Sequence, residues 1–240
     1  MYAVDLHSHT RFFHGRRALG DRFDPLGFRL LGAAARRRGL DGLAVTNHDY
    51  YTPFDAGAPR VVPGVEVSTT TGHVLVIGPD PPRETDPGAL TPAETVALAH
   101  DRNCAAVMAH PFRGTLWRAG EVDFDAVELN GKHPQSHPWV MELARRRNLP
   151  VVAGSDAHVP VEVGRAYTAV EADRLTPEAV AAAVRDGRVR ARVRHGRTDA
   201  AVRRLYRLLH GRRGDLSPPP WAEDMDPDPE RFPAVDRPGR

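Results

Sequence analysis

Short apolar runs of strand length alternate along the chain with segments whose apolar residues recur at helical spacing. Seven runs predict strands at 2–6, 42–46, 61–67, 73–77, 105–109, 126–129 and 151–153. Helices are predicted at 25–38, 91–102, 138–147, 176–187 and 199–209. This alternation implies parallel strands covered by helices. About seven strands favour a closed or nearly closed α/β barrel, and an open sheet remains the alternative.

The composition changes after Gly211, where prolines interleave with charged residues, beginning with Pro218-Pro219-Pro220. Such a segment has too few apolar residues to build a packed core. We therefore expect one domain over residues 1–210, followed by a Pro-rich tail over residues 211–240. The tail is expected to be disordered or to lie along the surface.

Length and composition fit a single globular domain, because 240 residues with 41% apolar content can form one substantial core. The longest apolar runs are strand-length and far short of a membrane span. No signal peptide is visible at the N-terminus, and a single cysteine, Cys104, excludes an internal disulfide. These features predict a cytoplasmic protein without a membrane partner, and they leave the oligomeric state open.

Basic residues are almost all arginine, since Lys132 is the only lysine among 33 basic residues. The net charge is only +2, so the composition by itself does not favour a nucleic-acid partner. The one concentrated basic stretch, residues 185–213, holds eleven arginines. We interpret it as a solvated helix face, with contact to a phosphate backbone as the less favoured reading.

Chemically active side chains lie at the predicted strand ends. They belong to the segments Asp5-Leu-His7-Ser-His9, Asn47-His48-Asp49, Glu66, His73, His110-Pro111, Glu128-Leu-Asn130 and Asp156-Ala-His158. In a parallel barrel the C-terminal strand ends meet at one rim, where active sites form. Residues far apart in the sequence are therefore expected to meet in space.

Two of these segments have a spacing suited to gripping a metal ion. Side chains at i and i+2 of an extended strand point the same way, so His7 and His9 form one pair and Asp156 and His158 another. Imidazole with carboxylate suits Zn²⁺, Mn²⁺ or Fe²⁺ better than Mg²⁺ or Ca²⁺. Glu66 could bridge two ions roughly 3.5–4 Å apart, which would activate a water and stabilise a leaving phosphate oxygen.

A single buried histidine is more often a hydrogen-bonded core residue than a metal ligand. That ordinary interpretation, or plain surface exposure, is kept for His100, His133, His137, His195 and His210. It does not suit five or more histidines and carboxylates that each fall at a predicted strand end. The sequence therefore predicts a metal centre that includes His7, His9, Glu66, His110, Asp156 and His158.

The motifs also resemble a known family. Asp-Leu-His-Ser-His-Thr, Thr-Asn-His-Asp, Gly-Val-Glu-Val-Ser, His-Val-Leu-Val-Ile-Gly, Ala-His-Pro and Gly-Ser-Asp-Ala-His occur in this order. From about Tyr2 to Val170 the sequence resembles the polymerase and histidinol phosphatase family, usually called the PHP domain. The resemblance implies a distorted (β/α)7 barrel with a trinuclear metal site at its C-terminal rim.

The resemblance also implies how the ligands divide among the ions. His7, His9, Glu66 and Asp156 would hold the first ion, and Glu66 would bridge to a second. His73 and His110 would share the second ion, although the spacing from Glu66 to His73 is short. The third ion would bind to His14, His48 and His158.

Two departures from the family pattern concern the third ion. His14, within Phe13-His14-Gly15, stands where family members often have Asp, which puts the metal preference in doubt. Asn47 stands where the usual motif has a second Asp, so it brings no charge to support His48.

Arginines and one aspartate complete the expected site. By the resemblance, Arg113 lies where relatives carry a basic residue after His-Pro, and it is expected to bind substrate phosphate and assist catalysis. Arg165 is a second phosphate-binding candidate. Asp49 or Asp5 would orient ligands or relay protons, and the sequence does not choose between them.

The expected activity is hydrolysis of a phosphate ester by a metal-bound hydroxide, with two or three Zn, Mn or Fe ions as cofactors. A small phosphomonoester is the favoured substrate. A nuclease or nucleotide phosphatase acting on oligonucleotide ends is one alternative, and a non-catalytic metal- or nucleic-acid-binding module is another. The sequence has neither a Gly-x-Ser-x-Gly motif nor a Gly-rich phosphate loop, so serine hydrolysis and a nucleotide cofactor are unsupported.

Overall fold

Nine strands form one sheet in the computed structural model, which describes residues 1–11, 20–54, 60–194 and 216–222. The strands are β1 Tyr2–Asp5, β2 Gly42–Val45, β3 Arg60–Ser68, β4 His73–Ile77, β5 Ala105–Met108, β6 Ala126–Asn130, β7 Val151–Gly154, β8 Ala166–Val170 and β9 Val189–Val193. The helices are α1 Gly20–Arg37, α2 Pro92–Asp101, α3 His137–Arg147 and α4 Pro177–Arg185. All seven predicted strands are confirmed.

The order of strands across the sheet is β7-β6-β5-β4-β3-β2-β1-β8-β9. Strands β1, β2 and β3 run parallel to one another, and so do β5, β6 and β7. The prediction of an all-parallel sheet is wrong at β4, which runs antiparallel to both β3 and β5. Only residues 69–72 join β3 to β4, and so short a connection permits only a hairpin.

The sheet curls into a nearly closed barrel in which β7 approaches β8, so the predicted barrel is confirmed. At the seam, the Thr168 hydroxyl of β8 accepts a hydrogen bond from the Ala153 N–H of β7 and donates one to the Ala153 carbonyl, both at 2.8 Å. At this point the two strands are joined by hydrogen bonds of a side chain and not by backbone–backbone hydrogen bonds. Beyond the seam, the His9 N–H donates to the Ala157 carbonyl at 2.8 Å.

Strands β8 and β9 were missed by the sequence analysis. β8 pairs antiparallel with β1, and β9 pairs antiparallel with β8. The β9 sequence alternates valine or alanine with Arg190 and Arg192, and it lies in the stretch that we interpreted as a helix face. That interpretation is wrong for residues 189–193, where the twofold alternation of a strand applies.

Alternate residues of the strands enter two different cores. Val74 and Val76 of β4 belong to an outer cluster that includes Val96 and Ala99 of α2. Their neighbours Leu75 and Ile77 point the other way, into a cluster with apolar residues of the other strands and of α4. Both faces of the sheet are therefore buried, and the side chains that carry chemistry are left to the strand ends.

Threonine side chains cap the N-termini of two helices. At α2 the Thr91 side chain accepts from the Glu94 N–H, and Glu94 accepts in return from the Thr91 N–H at 2.8 Å. At α4 the Thr176 side chain accepts from the Ala179 N–H. The helix predicted over 199–209 lies outside the described residues.

One described piece of the expected tail, residues 216–222, packs on the domain. The Ser217 N–H donates to the Phe112 carbonyl at 2.7 Å, and the Trp221 ring lies edge-on to Phe112 at 6.1 Å. The Arg146 guanidinium stacks over Trp221. Within the described parts of the chain, no helix combines the length and apolar character needed to cross a membrane.

Candidate metal centre

The buried carboxylate of Glu66, near the end of β3, is surrounded by five imidazoles. Its Oε2 lies 3.2 Å from His7 Nε2, 3.2 Å from His9 Nε2 and 3.3 Å from His48 Nδ1. Its Oε1 lies 2.8 Å from His73 Nδ1 and 2.9 Å from His110 Nε2. We call Glu66 and these five histidines the Glu66 cluster. Both oxygens of one carboxylate thus face imidazole nitrogens, the arrangement expected of a residue that bridges two ions.

The reversed strand explains how His73 reaches this cluster. The start of β4 lies beside the end of β3, with Ser68 paired to His73. Glu66 and His73 are therefore near neighbours across the hairpin in spite of their short separation in sequence. The geometry brings His73 to Glu66 as closely as it brings His110.

A second group follows β7. The Asp156 Oδ1 lies 3.4 Å from His9 Nε2, 3.8 Å from His7 Nε2 and 3.4 Å from His158 Nδ1. Lys132 also reaches it, with its Nζ at 3.3 Å from the same oxygen. We call Asp156, His158 and Lys132 the Asp156 arm.

Ligand atoms in the two groups are close enough together to share ions. Four trios have ligand atoms that all lie within 4.8 Å of one another: His9/His48/His158, His7/His9/Glu66, His7/His110/Asp156 and His48/Glu66/His73. The overlap of these trios indicates more than one ion. Eight of the nine predicted ligands therefore meet at one rim of the barrel, and the ninth, His14, lies outside the described residues.

The residues present fit a transition-metal centre. His7 Nδ1 lies 2.8 Å from Glu128 Oε1, so a proton on Nδ1 would be held there and the Nε2 lone pair would be available to a metal ion. That Nε2 faces His9 Nε2 at 3.0 Å and the Glu66 carboxylate at 3.2 Å. Two nitrogens and an oxygen converging on one point is the chemistry of a Zn²⁺, Mn²⁺ or Fe²⁺ site.

Glu128, at the end of β6, holds two of the ligands in place. Besides the His7 ring it accepts from the backbone N–H of His110 at 2.9 Å and from the Asn130 side chain at 3.2 Å. A carboxylate behind a metal-binding histidine fixes the ring and raises its basicity. Glu128 is therefore a positioning residue for His7 and His110.

Two further features fix the floor of the site. A Cβ added at Gly154 would overlap His7 Cβ and would lie 2.7 Å from the Glu128 carboxylate, so only glycine fits beneath this pair. Asp5 accepts from the Ser155 N–H at 2.9 Å, the Ser155 hydroxyl at 2.6 Å and the Gly164 N–H at 2.8 Å. Asp5 thereby joins β1 to the loop that carries Asp156.

The backbone is strained at two of the ligands. Asp156 has φ 52° and His110 has φ 22°, values that residues other than glycine seldom adopt. Such strain persists where surrounding contacts impose it, and it clusters at functional sites. Here the contacts include the Glu128 bond to His110 N–H and the Asn130 contact with Asp156 at 3.4 Å.

Electrostatics favour ionised carboxylates and cations at this rim. Burial alone would raise the pKa of Glu66, but the facing His48, His7 and His73 hold that pKa well below its ordinary value. Burial likewise opposes charge on His7, yet the carboxylates of Glu128, Glu66 and Asp156 raise its pKa well above the usual range. Both pKa shifts show that the buried carboxylates favour positive charge beside them. Bound metal ions would supply that charge.

His158 behaves differently. Burial first, and then the positive charges of His9 and Lys132, hold its pKa far below the ordinary value for histidine. A neutral imidazole is the form that binds a metal ion.

Burial also raises the pKa of Asp5 to about 6, although its hydrogen bonds to Ser155, Gly164 and His7 act in the opposite direction.

The three residues expected to assist catalysis lie in different surroundings. Exposed Arg113 lines a small cavity with His73 and His110. Asp49 accepts from the Ser68 N–H at 2.8 Å and from the Thr85 hydroxyl at 3.1 Å, contacts that tie loops together. Arg165 is buried at 2% exposure. The catalytic and phosphate-binding roles of these residues stay predictions.

The histidines set aside in the sequence have ordinary partners where they are described. His100 Nε2 lies 3.0 Å from Asp125 Oδ2, and His137 Nε2 lies 2.9 Å from the Asn130 carbonyl. His133 is buried. His195 and His210 lie outside the described residues.

Glu128, Gly154 and Lys132 are site residues that the sequence analysis did not assign. Glu128 was noted at a strand end, but its role depends on the register that sets it beside His7. The signal for Lys132 was its status as the only lysine in an arginine-rich chain.

Comparisons with known proteins agree with this architecture. The PHP_C family model, described as PHP-associated, matches residues 136–189. Among curated protein sequences, none matches this chain significantly.

Solved structures share the fold at low sequence identity. PsfC from Pseudomonas syringae PB-5123 is 20% identical, with a TM-score of 0.62 over 88% of this chain and 98% of that one. A two-domain protein from Bacteroides vulgatus, which contains a predicted PHP-like metal-dependent phosphoesterase, is 19% identical; its TM-score is 0.53 over 80% of this chain and 64% of that one.

A third similar structure is the lesion-specific endonuclease PfuEndoQ from Pyrococcus furiosus. It is 16% identical, with a TM-score of 0.52 over 77% of this chain and 56% of that one. The chain thus spans somewhat over half the length of this endonuclease. The family model matches only residues 136–189 of the chain, and the solved structures show that the chain shares their fold.

Proposed function

We propose that this protein is a metal-dependent phosphoesterase whose active site is the Glu66 cluster together with the Asp156 arm. The observation that carries the proposal is one buried carboxylate, Glu66, with five imidazole nitrogens within 3.3 Å of its two oxygens. Cation binding explains why so many metal-ligating atoms are concentrated at one place in the fold. The similar structure described as containing a predicted PHP-like metal-dependent phosphoesterase supports the reaction class.

Divalent ions bound at this rim would activate a water and neutralise charge on the transferring phosphoryl group. The protein supplies the geometry for that chemistry. Glu66 would span two ions, His7 and His9 would hold one of them, and His73 and His110 the other. Glu128 keeps the Nε2 of His7 aimed at its ion through the 2.8 Å contact with Nδ1.

The number of ions is part of the proposal. A third ion would lie near the trio His9/His48/His158, bound to His48 and His158 because His9 would already hold the first ion. His14 would complete that place. We expect two ions to bind more tightly than the third, because three neutral imidazoles bring no negative charge to it.

We favour a small phosphomonoester as substrate. The cavity beside the cluster is lined by Gly72, His73, His110, Arg113 and Leu116, among others. It offers the exposed Arg113 guanidinium next to two metal ligands, a suitable partner for the phosphate group. Arg165 is buried, so it would contribute to the positive electrostatic potential of the site and would not contact the substrate.

The end of an oligonucleotide is the alternative substrate. One observation favours it: PfuEndoQ, whose fold the chain shares, is described as a lesion-specific endonuclease. Against it stands the small net charge of +2. A nucleic-acid substrate would make the reaction strongly dependent on salt, since several phosphate contacts release counterions.

Metal analysis combined with a substrate screen tests the proposal. We expect Mn²⁺, Zn²⁺ or Fe²⁺ to copurify with the protein, and hydrolysis of phosphomonoesters to fall after chelation and return with metal. His9→Ala should abolish the activity with its folded circular dichroism spectrum intact. His100→Asn, which removes a histidine bound to Asp125 and not to this site, is the matched control. A protein that takes up none of these ions on titration would refute the proposal.

A further inference from the structure

The only lysine of the chain lies within the metal centre. Its Nζ is 3.3 Å from Asp156 Oδ1 and 2.5 Å from His158 Nδ1, and its side chain is nine-tenths buried. All of the other 32 basic residues are arginine. A side chain that differs from every other basic residue, and that contacts two of the expected metal ligands, requires a specific explanation.

A buried cation is poorly placed if its surroundings serve only to bind other cations. Lys132 competes with metal ions for the negative charge of Asp156 and repels any ion bound there. The arrangement becomes favourable when an anion also enters the site and shares the excess positive charge. Lysine offers a compact charge with three hydrogens that can turn, whereas the larger planar guanidinium of arginine would need a matching fork of acceptors.

The hydrogen bonds of Lys132 leave hydrogens for such an anion. His158 Nδ1 lies 2.5 Å from Lys132 Nζ and 2.9 Å from the Asp156 carbonyl. If His158 binds an ion through Nε2, Nδ1 must carry the proton and donate to that carbonyl. Lys132 then cannot donate to Nδ1, and it keeps only Asp156 as a hydrogen-bond acceptor.

No other acceptor among the described residues takes the released hydrogens. Glu162 Oε2 is 4.0 Å from Lys132 Nζ, which is beyond hydrogen-bond distance. That oxygen already accepts from the backbone N–H groups of His158 at 2.7 Å and Val159 at 3.2 Å. Two of the three ammonium hydrogens are thus left for a group that arrives from outside.

We propose that Lys132 is a substrate-binding residue, whose ammonium donates to a non-bridging oxygen of the substrate phosphoryl group while it remains paired with Asp156. The inference rests on the proposed phosphoesterase function and deepens it. Arg113 would approach the phosphate from the His73–His110 side, and Lys132 from the Asp156 side. The phosphoryl group would then lie between two cations of the protein as well as against the ions.

Binding of inorganic phosphate to the zinc-loaded protein tests the role directly. Lys132→Met should bind two or three Zn²⁺ per chain as the wild type does, yet its phosphate affinity, measured by calorimetry, should fall by about 10- to 100-fold. Lys132→Arg should retain part of the affinity because it keeps the charge. Equal phosphate affinity in wild type and Lys132→Met would overturn the proposal.

Zinc content separates this role from two others. If Lys132→Met binds fewer ions, Lys132 serves to position Asp156, and the proposal is wrong. If the variant binds one more ion than the wild type, Lys132 stands in for a metal ion, which also overturns it. Wild-type protein that binds no zinc at all would instead refute the proposed phosphoesterase function.

The unique lysine permits a second test that needs no variant. Protein labelled with ¹³Cε-lysine gives a single lysine signal, that of Lys132. Addition of inorganic phosphate to the zinc-loaded protein should shift this signal along a saturable curve that matches the calorimetric affinity. A signal that does not move at saturating phosphate would contradict the proposal, even if every Lys132 variant failed to fold.

Discussion

The Glu66 cluster and the Asp156 arm lie side by side, but their charges are arranged differently. In the cluster one carboxylate faces five imidazoles, and within the described residues no lysine or arginine forms an ion pair with it. In the arm the carboxylate of Asp156 is shared between His7, His9, His158 and an ammonium group. The charges of the cluster suit cations alone, whereas the arm, on our proposal, would hold cations together with the substrate anion.

This difference suggests that the two regions of the rim have different roles. Ligands without a competing positive charge would bind their ions most tightly, which assigns the tighter ions to the Glu66 cluster. The arm would bind metal ions less tightly, because the Lys132 ammonium competes for Asp156. In return it would place that ammonium beside the substrate phosphoryl group. Variants in each region, and in the packing around them, test that difference in roles.

Neutralising the two carboxylates separately compares the regions directly. Glu66→Gln should remove at least one more ion per chain than Asp156→Asn, because Glu66 would bridge two ions. Phosphatase activity of Glu66→Gln should fall by at least about a hundredfold, since bound ions contribute several kcal/mol of transition-state stabilisation. Metal analysis and activity assays of both variants measure the effect. Equal loss of ions in the two variants would remove the distinction between the regions.

Glu128→Gln sharpens the account of the cluster. The amide keeps the shape of the side chain but loses the charge that faces His7 Nδ1 and His110 N–H. Metal affinity should fall by about 10- to 100-fold, the usual effect of losing a carboxylate behind a metal-binding histidine. Competition with a zinc chelator gives the affinity. Glu142→Gln, an exposed pair with Arg145 on α3, is the control and should leave it unchanged.

Gly154→Ala tests whether the packing beneath His7 matters. The new methyl group would meet His7 Cβ, the His7 backbone nitrogen and the Glu128 carboxylate. We expect a loss of about 1–3 kcal/mol in the free energy of unfolding, the usual cost of overfilling a packed site. Urea denaturation of the chelated protein measures it. Gly120→Ala, where an added Cβ has nothing within 4 Å, should be close to neutral.

Trp221→Ala should have the smallest effect on the metal centre. The half-buried ring packs on Phe112, two residues after His110, so its removal should cost about 1–2 kcal/mol of stability. Zinc content should stay the same, because the described ring contacts of Trp221 are with Phe112 and Arg146 and with none of the described ligands. A loss of zinc in this variant would show that residues 216–222 support the His110 loop, and it would enlarge the site beyond the two regions.

Much of this organisation could be predicted from the sequence, for physical reasons that can be stated. The seven strands were predictable because both faces of the sheet are buried, which leaves short apolar runs. The expected ligands were predictable because parallel strand ends must meet at one rim. His73 was the least certain of the Glu66 ligands, and it reaches Glu66 only because β4 runs backward.

Other features depend on contacts that one sequence does not reveal. β9 alternates apolar residues with arginine, which is the twofold pattern of a strand. The high arginine content of the stretch favoured a helix face instead. Glu128 became a positioning residue only when the β5–β6 register set it behind His7 and His110. Lys132 has no local pattern at all, since its partners lie 24 and 26 residues away.

The central claim is that Glu66 bridges two metal ions. The most direct test is anomalous diffraction from crystals of the metal-loaded protein, recorded at the absorption edge of the bound metal. The account predicts two anomalous peaks roughly 3.5–4 Å apart, one on each carboxylate oxygen of Glu66. Peaks located away from Glu66, or a single peak bound by Asp156 and His158 alone, would contradict it.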